Sequence, residues 1–488
     1  YSISFNPRST TFTSEELIEI AGILEVDRRQ LRKRLTRVKE RSFVFVQRRV
    51  SRAAAKALRA TQIGGLKYDS EYHRYYPAAE TAAHVVGKTN VDGLGIEGVE
   101  LSLDAALTGQ LGRKKILRDR KGRLVRNLDY KAISKSGRDI RLSIDLNLQF
   151  IAYRELKSAV KSHKAESGSL VMVDVVNGEI LAMVNQPSYN PNEVVSSLNM
   201  GALRNRAVTD AFEPGSTIKP FVALAALESD VFTSESSIDT SPGFIKVSGH
   251  RVSDPKNYGL LSLPKIIQHS SNVGIAKVAL RLPEGSVYDV LSLSGLGELV
   301  GVELPGEARG RLSSKKLNIP IERASLAFGY GLMVTPLQLA NAYLTIASGG
   351  KKLPMTILRK KEELVHQQLF EPENVQKVVE MMELVTAVGG TGRSGALKDY
   401  RVAGKTGTAQ RLNAGRYDAD SHNVWFAGIV PASDPRLLIV ISVNNPQAGV
   451  SGGGTVAAPI FAQVARHSLR ILGVRPDATS ILLSQNFM

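Results

Sequence analysis

At 488 residues, with 43% hydrophobic and 22% charged residues, the chain is too long for one ordinary domain and too apolar to be disordered. It has no cysteine, which excludes disulfides, thiolate zinc sites and a cysteine nucleophile. The formal net charge of +17 points to an anionic partner; with no zinc-finger or RNA-recognition pattern beside it, the charge favours an acidic membrane surface or polymer over nucleic acid.

No apolar run is long enough to cross a bilayer, no secretory leader is present, and any membrane anchor is expected upstream of Tyr1. Residues 1–147 read as a separate module. Helical patches over Ser14 to Leu24 and Ala53 to Ala60 alternate with β-like runs over Phe43 to Gln47 and Arg138 to Ile144. Much of the basic charge lies in two runs, Arg28 to Arg41 and Arg113 to Arg126. In the first, Leu31, Leu35 and Val38 recur at near-helical spacing, which predicts a packed helix with a solvated basic face. Gly95 to Glu100 reads as a turn entering a helix. The module holds no acid–base pair or ligand cluster that would carry chemistry.

The pattern tightens from Leu148. Leu148, Ile151, Ala152, Leu156 and Val160 predict an amphipathic helix. Ser169 to Asp174 and Glu179 to Val184 flank Asn177-Gly178, the strongest short-range signal for a hairpin. Asn423 to Val430 and Leu437 to Val443 predict two more strands, Tyr400 to Ala409 a fifth, and Val456 to Leu472 a closing helix. A mostly helical insertion separates the two sets of strands. The expected fold is therefore α+β: an antiparallel sheet flanked by helices plus a helical subdomain over 148–475, preceded by an elongated α+β domain over 1–147 and followed by a tail over 476–488.

Within the insertion, Pro214-Gly215 turns into the apolar run Phe221 to Leu227, which sets Ser216 at the mouth of a helix with Lys219 three residues on. A hydroxyl and an amine on one helix face make an activated nucleophile, the amine taking the serine proton. Ser-x-x-Lys alone is weak, since it occurs six times, at Ser158, Ser216, Ser253, Ser262, Ser313 and Ser348. With Ser216, a Ser-x-Asn at Ser270-Ser271-Asn272 and a Lys-Thr-Gly-Thr at Lys405 to Thr408 follow in the right order, each in a suitable context.

These motifs, worded Phe212-Glu-Pro-Gly-Ser-Thr-Ile-Lys-Pro220, His269-Ser-Ser-Asn-Val-Gly274, Phe328-Gly-Tyr-Gly-Leu-Met-Val-Thr-Pro336 and Lys405-Thr-Gly-Thr408, resemble class B penicillin-binding proteins of the division-specific transpeptidase kind. Gly95-Ile-Glu-Gly98 and Asp119-Arg-Lys-Gly122 extend the resemblance to the family's non-catalytic pedestal. The resemblance implies a serine D,D-transpeptidase acting on peptidoglycan stem peptides, acylated by β-lactams, with no metal or organic cofactor. It implies an inner-membrane enzyme with a periplasmic catalytic domain at the division site, partnered by a membrane glycan polymerase and other division proteins. Ser216 would attack the penultimate D-alanine, with Lys219 as base and Ser270 as proton relay. Asn272 would hold the donor peptide and steady Lys219. Lys405 and the hydroxyls of Thr406 and Thr408 would meet the terminal carboxylate, Gly407 would let the peptide lie against the strand, and Tyr330 would line the cleft. The N–H groups of Ser216 and Thr408 would form the oxyanion hole.

Three rival readings differ in their requirements. A β-lactamase needs a water-activating acid, and Glu284, Glu298, Glu303 and Glu307 all lack a Glu-x-x-x-Asn context. A bifunctional synthase needs paired acids that the N-terminal module does not have. A scaffold with a dead site or a β-lactam sensor conflicts with the intact residue set and the long pedestal.

Overall fold

The computed structural model describes residues 1–110, 112–120, 124–193, 200–359, 366–413, 416–449 and 451–478. The tail from 479 onward and the Lys121-Gly122 part of the second pedestal motif lie outside the described residues. The chain forms two compact units, one of Tyr1–Tyr76 with Thr89–Leu94 and one of Pro77–Lys88 with Gly95 onward. This is a division by compactness; the boundary expected at 147/148 concerns role.

In the first unit, β1 (Ser2–Phe5) lies between β2 (Val44–Gln47) and β3 (Lys67–Asp69), antiparallel to both. Three helices cover this sheet: α1 (Ser14–Ile23), α2 (Arg28–Thr36) and α3 (Arg52–Ala60). Each begins where a side chain satisfies an orphan amide. Thr13 Oγ1 accepts from Glu16 N at 3.1 Å while the Glu16 carboxylate accepts from Thr13 N at 2.7 Å, a reciprocal capping box. Asp27 and Ser51 accept from Gln30 N and Ala54 N. Ile3, Phe5, Leu17, Ile20, Leu31, Leu35, Val46 and Leu58 form the core. The first basic run is helical over Arg28–Thr36, with Leu31 and Leu35 inside, while Val38, expected on the same helix, lies half-buried in the turn beyond it.

The second unit departs from expectation at Arg138 to Ile144, which forms no strand. It runs as an irregular extended segment, with Leu142 bridged to Leu358, Ser143 N donating to Ile357 O and the Ser143 hydroxyl donating to Ile180 O. Its partner is itself a short irregular stretch, so no ladder propagates. The second basic run contributes to an antiparallel hairpin, β4 (Arg113–Arg118) with β5 (Leu124–Ala132).

Next come α4 (Leu146–Ser162), β6 (Ser167–Asp174) and β7 (Ile180–Gln186), the hairpin turning at Asn177-Gly178 as expected. The inserted helices include α5 (Lys219–Glu228), α6 (Leu263–His269), α7 (Asn272–Arg281), α8 (Pro320–Ala327), α9 (Pro336–Ala347) and α10 (Pro372–Thr386). The chain then returns to the sheet with β8 (Ala403–Asn413), β9 (Arg416–Val430) and β10 (Leu437–Asn444) before α11 (Ala458–Ile471). A π-helical turn over Gly453–Ala457 stands where the closing helix was expected to start. The sheet order is β8-β9-β10-β6-β7, all antiparallel, so β8 is an edge strand.

Every residue of β6, β7 and β10 is buried, because both sheet faces are covered. Alternate residues face opposite sides of a strand. Leu170, Met172, Ile439, Ile441 and Phe426 pack with Leu148 and Leu156 of α4 and Phe461 of α11. Val171, Val173, Val440 and Trp425 pack on the other side with Phe221 of α5 and Leu337 of α9. Phe426 sits in a cradle of glycines. A Cβ at Gly392, Gly395 or Gly404 would come within 3.1, 2.8 or 2.6 Å of its ring.

This cradle cannot refill a missing ring, because glycine has no side chain to move in. Phe426→Ala should lower the unfolding free energy of the catalytic sheet by about 3–5 kcal/mol. Denaturant unfolding read by circular dichroism checks it, and a loss under about 1 kcal/mol would contradict the packing account.

Candidate active site

The segment Phe212 to Lys219 is pinned from several sides. Phe212 and Val334 exchange both backbone hydrogen bonds, at 3.0 and 2.9 Å. Gly215 N donates to Gly329 O, Trp425 Nε1 to Glu213 O at 3.2 Å, and the buried Tyr343 hydroxyl to Thr217 O at 2.6 Å. Gly215 has φ +54°, and a Cβ at Gly329 would stand 1.9 Å from Gly215 O, so both positions require glycine. A 3₁₀ turn over Gly215–Ile218 then feeds α5, whose second residue is Pro220, where no amide is needed. Ser216 thus stands one tight turn ahead of the α-helix, and Lys219 is its first residue.

Lys219 is fully buried. Its Nζ lies 2.7 Å from Asn272 Oδ1, 2.5 Å from Ser270 O and 3.1 Å from Ser270 Oγ. Lys405, also fully buried, enters from β8 and places its Nζ 3.1 Å from the same Ser270 Oγ and 3.0 Å from Thr406 O. Ser270 ends α6 in the left-handed region, at φ +58°, which turns its carbonyl and hydroxyl together toward the amines. A non-glycine residue held there stores about 1–3 kcal/mol of strain.

Burial penalises an ammonium, and a second cation nearby penalises it again. Lys219 is held well below the ordinary lysine range, by burial first and then by Lys405, with Asp254 opposing. Burial alone brings Lys405 down to about 7. A neutral Lys219 amine has two N–H groups and one lone pair. The N–H groups match Ser270 O and Asn272 Oδ1, which leaves the lone pair for the Ser270 hydroxyl, itself the acceptor for Lys405. Lys219, Ser270 and Lys405 therefore form a continuous path for a proton, and Asn272 fixes the Lys219 end of it. Ser216 Oγ, half-buried, makes no hydrogen bond among the described residues, and Lys219 Nζ is engaged by Ser270 and Asn272 instead.

The structure thus gathers Lys219, Ser270, Asn272 and Lys405 around one point. Other expected residues sit differently. The buried Thr406 hydroxyl pairs with Thr391 Oγ1 at 2.9 Å, since it faces the opposite side of the strand from Lys405. Thr408 is exposed, and its hydroxyl accepts from Gly453 N at 3.2 Å. Gly407 serves protein packing, because a Cβ there would meet Pro214 O at 2.7 Å and Thr217 Cγ2 at 2.8 Å. Tyr330 Oη accepts from Gln410 N at 3.3 Å, which ties it to the edge strand. Phe328, which opens the third motif, is partly buried against the core. Glu303 is engaged by Thr356 and Ile357 N, and Glu307 by Val300 N and Gly301 N.

Sequence reasoning passed over two carboxylates. Asp254 Oδ1 accepts from Asn272 N at 2.5 Å and Val273 N at 3.1 Å, and its Oδ2 from Ser271 Oγ at 2.5 Å. Ser271 Oγ in turn accepts from Gly274 N and caps α7. Asp254 therefore neutralises the positive end of α7 and sets the angle from which Asn272 reaches Lys219. The Asn272 amide is oriented from both ends, since its Nδ2 donates to Ser253 O at 3.2 Å. Glu213, inside the first motif, accepts from Gly331 N at 2.9 Å and Tyr417 Oη at 3.0 Å, and burial raises its pKa. The only sequence signal for Asp254 was its place inside a second Ser-x-x-Lys, Ser253 to Lys256.

Comparison with known proteins finds matches along most of the chain. The penicillin binding protein transpeptidase domain matches residues 168–466, and the penicillin-binding protein dimerisation domain matches residues 1–142. The chain is 42% identical to the peptidoglycan D,D-transpeptidase FtsI of Escherichia coli K12, over 94% of this chain and 77% of that one. It is 37% identical to the probable peptidoglycan D,D-transpeptidase PenA of Neisseria meningitidis, over 95% of this chain and 80% of that one. Among solved structures, penicillin-binding protein 3 of Mycobacterium tuberculosis complexed with aztreonam matches with a TM-score of 0.74 and 29% identity, covering 83% of this chain and 91% of that one.

The charges facing Lys219 make opposite predictions for its titration midpoint, read by NMR of its ε-carbon. Lys405→Met removes a like charge and should raise the midpoint; Asp254→Asn removes the opposing anion and should lower it. Shifts of the same sign would refute the arrangement. Lys405 also gives a stability window. The unfolded chain holds this proton up to about pH 10.4, the folded chain only to about 7. Wild-type stability relative to Lys405→Met should therefore rise between those values and be lowest below them.

Proposed function

The chain belongs to the penicillin-binding proteins, and from that premise we propose that it is a serine D,D-transpeptidase cross-linking peptidoglycan stem peptides at the division septum and covalently inhibited by β-lactams. One observation carries the reading: a fully buried lysine, depressed toward its neutral form, stands on the helix that Ser216 precedes, bonded to the serine and asparagine of the second motif.

In this reading Ser216 Oγ attacks the carbonyl carbon of the penultimate D-alanine and gives its proton to Lys219. The N–H groups of Ser216 and Thr408 hold the resulting oxyanion, a contribution of about 3–4 kcal/mol per donor in comparable sites. As the peptide bond breaks, Ser270 passes a proton to the departing amine of the terminal D-alanine and is reprotonated through the path to Lys219 and Lys405. An amine of a second stem peptide then attacks the ester, forms the cross-link and returns the proton to Ser216. The donor peptide pairs with edge strand β8, with its terminal carboxylate at Thr408 and Lys405 and its body beside Tyr330 and Asn272. Lys405 acts mainly through Ser270, given its burial, and Thr406 and Gly407 support the strand.

The division of roles follows the same reading: a non-catalytic pedestal over 1–147, a transpeptidase domain over 148–475, and a tail. The pedestal docks a membrane glycan polymerase and other division proteins at the periplasmic face of the inner membrane, where an anchor preceding Tyr1 holds the chain. The exposed guanidinium groups of α2 suit anionic lipid. Arg34 is not among the free ones, because it donates to Val46 O within its own unit.

Incubation with a penicillin should add the drug's mass to the intact protein and hold it for hours, whereas Ser216→Ala should gain none. Drug mass on Ser216→Ala, or turnover within seconds, would refute the assignment. Lys219→Arg should slow acylation by about 10²–10⁴-fold, because a guanidinium stays protonated and cannot serve as the base.

Arg32→Gln with Arg37→Gln should weaken binding to anionic vesicles, by about 1 kcal/mol per charge, without slowing penicillin labelling. Parallel loss of both would make the first unit a support of the active site.

A further inference from the structure

A cavity of about 320 Å³ opens beside the active site, lined by Arg311, Ser313, Lys315, Leu317, Tyr330 and Gly331 among others. Its lining carries three cations, with Lys316 as the third, against one carboxylate, Glu322. Lys316 pairs with Glu322 at 3.3 Å. The side chains of Arg311 and Lys315 have no hydrogen-bond or ion-pair partner among the described residues, in a second unit that elsewhere pairs arginines such as Arg401 with Glu383.

The cavity is joined to the catalytic turn by backbone. Arg311 and Met333 exchange hydrogen bonds at 2.8 and 2.9 Å, and the next residue, Val334, does the same with Phe212. Two rungs of ladder therefore connect Arg311 to the segment that carries Ser216. Tyr330 belongs to both places: it lines the cavity and its hydroxyl accepts from Gln410 N on β8. The Arg311 charge is felt at Glu213, whose carboxyl it pulls down against the larger effect of burial.

We propose that this cavity is a subsite for a carboxylate of a peptidoglycan stem peptide, an inference that rests on the transpeptidase reading. Stem peptides carry acidic residues on the amino-terminal side of their D-alanines, and a peptide lying along β8 reaches Tyr330 before it leaves the strand. The cavity is large enough for a carboxylate with its methylenes. Arg311 offers the planar fork that suits a carboxylate, and Lys315 adds a point charge.

The test compares peptides with free and amidated acidic side chains in two arms. The donor arm reads D-alanine release from a peptide ending in D-Ala-D-Ala, and the acceptor arm reads cross-linked product. In one arm, amidation should lower kcat/KM of the wild-type chain by at least about tenfold, as expected for loss of a charge-assisted hydrogen bond. Either arm supports the subsite and identifies which peptide occupies it. In the Arg311→Ala, Lys315→Ala double variant the free and amidated peptides should react alike; because the readout is a ratio, a general loss of activity cancels. Arg311→Lys alone should keep the preference. No preference in wild type, or a preference that survives in the double variant, overturns the inference. Penicillin acylation of wild type is read in parallel. Acylation without preference sinks the subsite alone, while no acylation sinks the transpeptidase reading and the subsite with it.

Discussion

Two lysine amines enter one buried volume from different elements, and burial there works against holding both as ammonium ions. Lys219 comes from the start of a helix and Lys405 from an edge strand, and both are fully buried. Ser270, between them, resolves the conflict by offering a carbonyl and a hydroxyl from one residue. It can do so only in the left-handed conformation it adopts at the end of α6. The reactive chemistry, the strained backbone and the burial are therefore one arrangement, and relaxing any of them would let a proton settle permanently on Lys219.

Such an arrangement demands that strand and helix be registered to a fraction of an ångström. The seams that achieve this are backbone against backbone. Gly407 admits Pro214 O, Gly329 admits Gly215 O, and Gly453 lies so close that a Cβ would meet Trp425 O at 2.4 Å and Gly407 O at 2.6 Å. The first two contacts bear on the turn before Ser216, and the third closes on the strands behind it. A side chain at Gly407 or Gly329 would push that turn out of place, so these glycines hold the position of Ser216 more than they make space for a ligand.

Much of this was legible in the sequence where the signal is periodic or local. The hairpin at Asn177-Gly178, the helix from Leu148 and the strands around Trp425 and Val440 were readable because buried strands and amphipathic helices impose spacing on apolar residues. The order of three short motifs was enough to nominate Ser216, Lys219, Ser270, Asn272 and Lys405. What escaped depends on tertiary approach. Asp254 lies 18 residues from Asn272 in sequence, and nothing local marks it as the cap of α7. Thr406 looks as open to a ligand as Thr408 in the motif, yet its hydroxyl pairs with Thr391, a partner that no local pattern marks. Arg138 to Ile144 has the composition of a strand but found no regular partner. Gly407 looked like a ligand platform because its true neighbour, Pro214, is nearly two hundred positions away.

Trp425 is the sole tryptophan of the chain. It is fully buried, and its indole N–H is bonded to the carbonyl of Glu213, three residues before Ser216. The chain therefore contains a single indole fluorophore, bonded to the turn before Ser216, with no second indole to dilute it. With excitation selective for indole, its emission reports displacement of that turn in unlabelled protein, at a point where the sheet meets the backbone leading to Ser216.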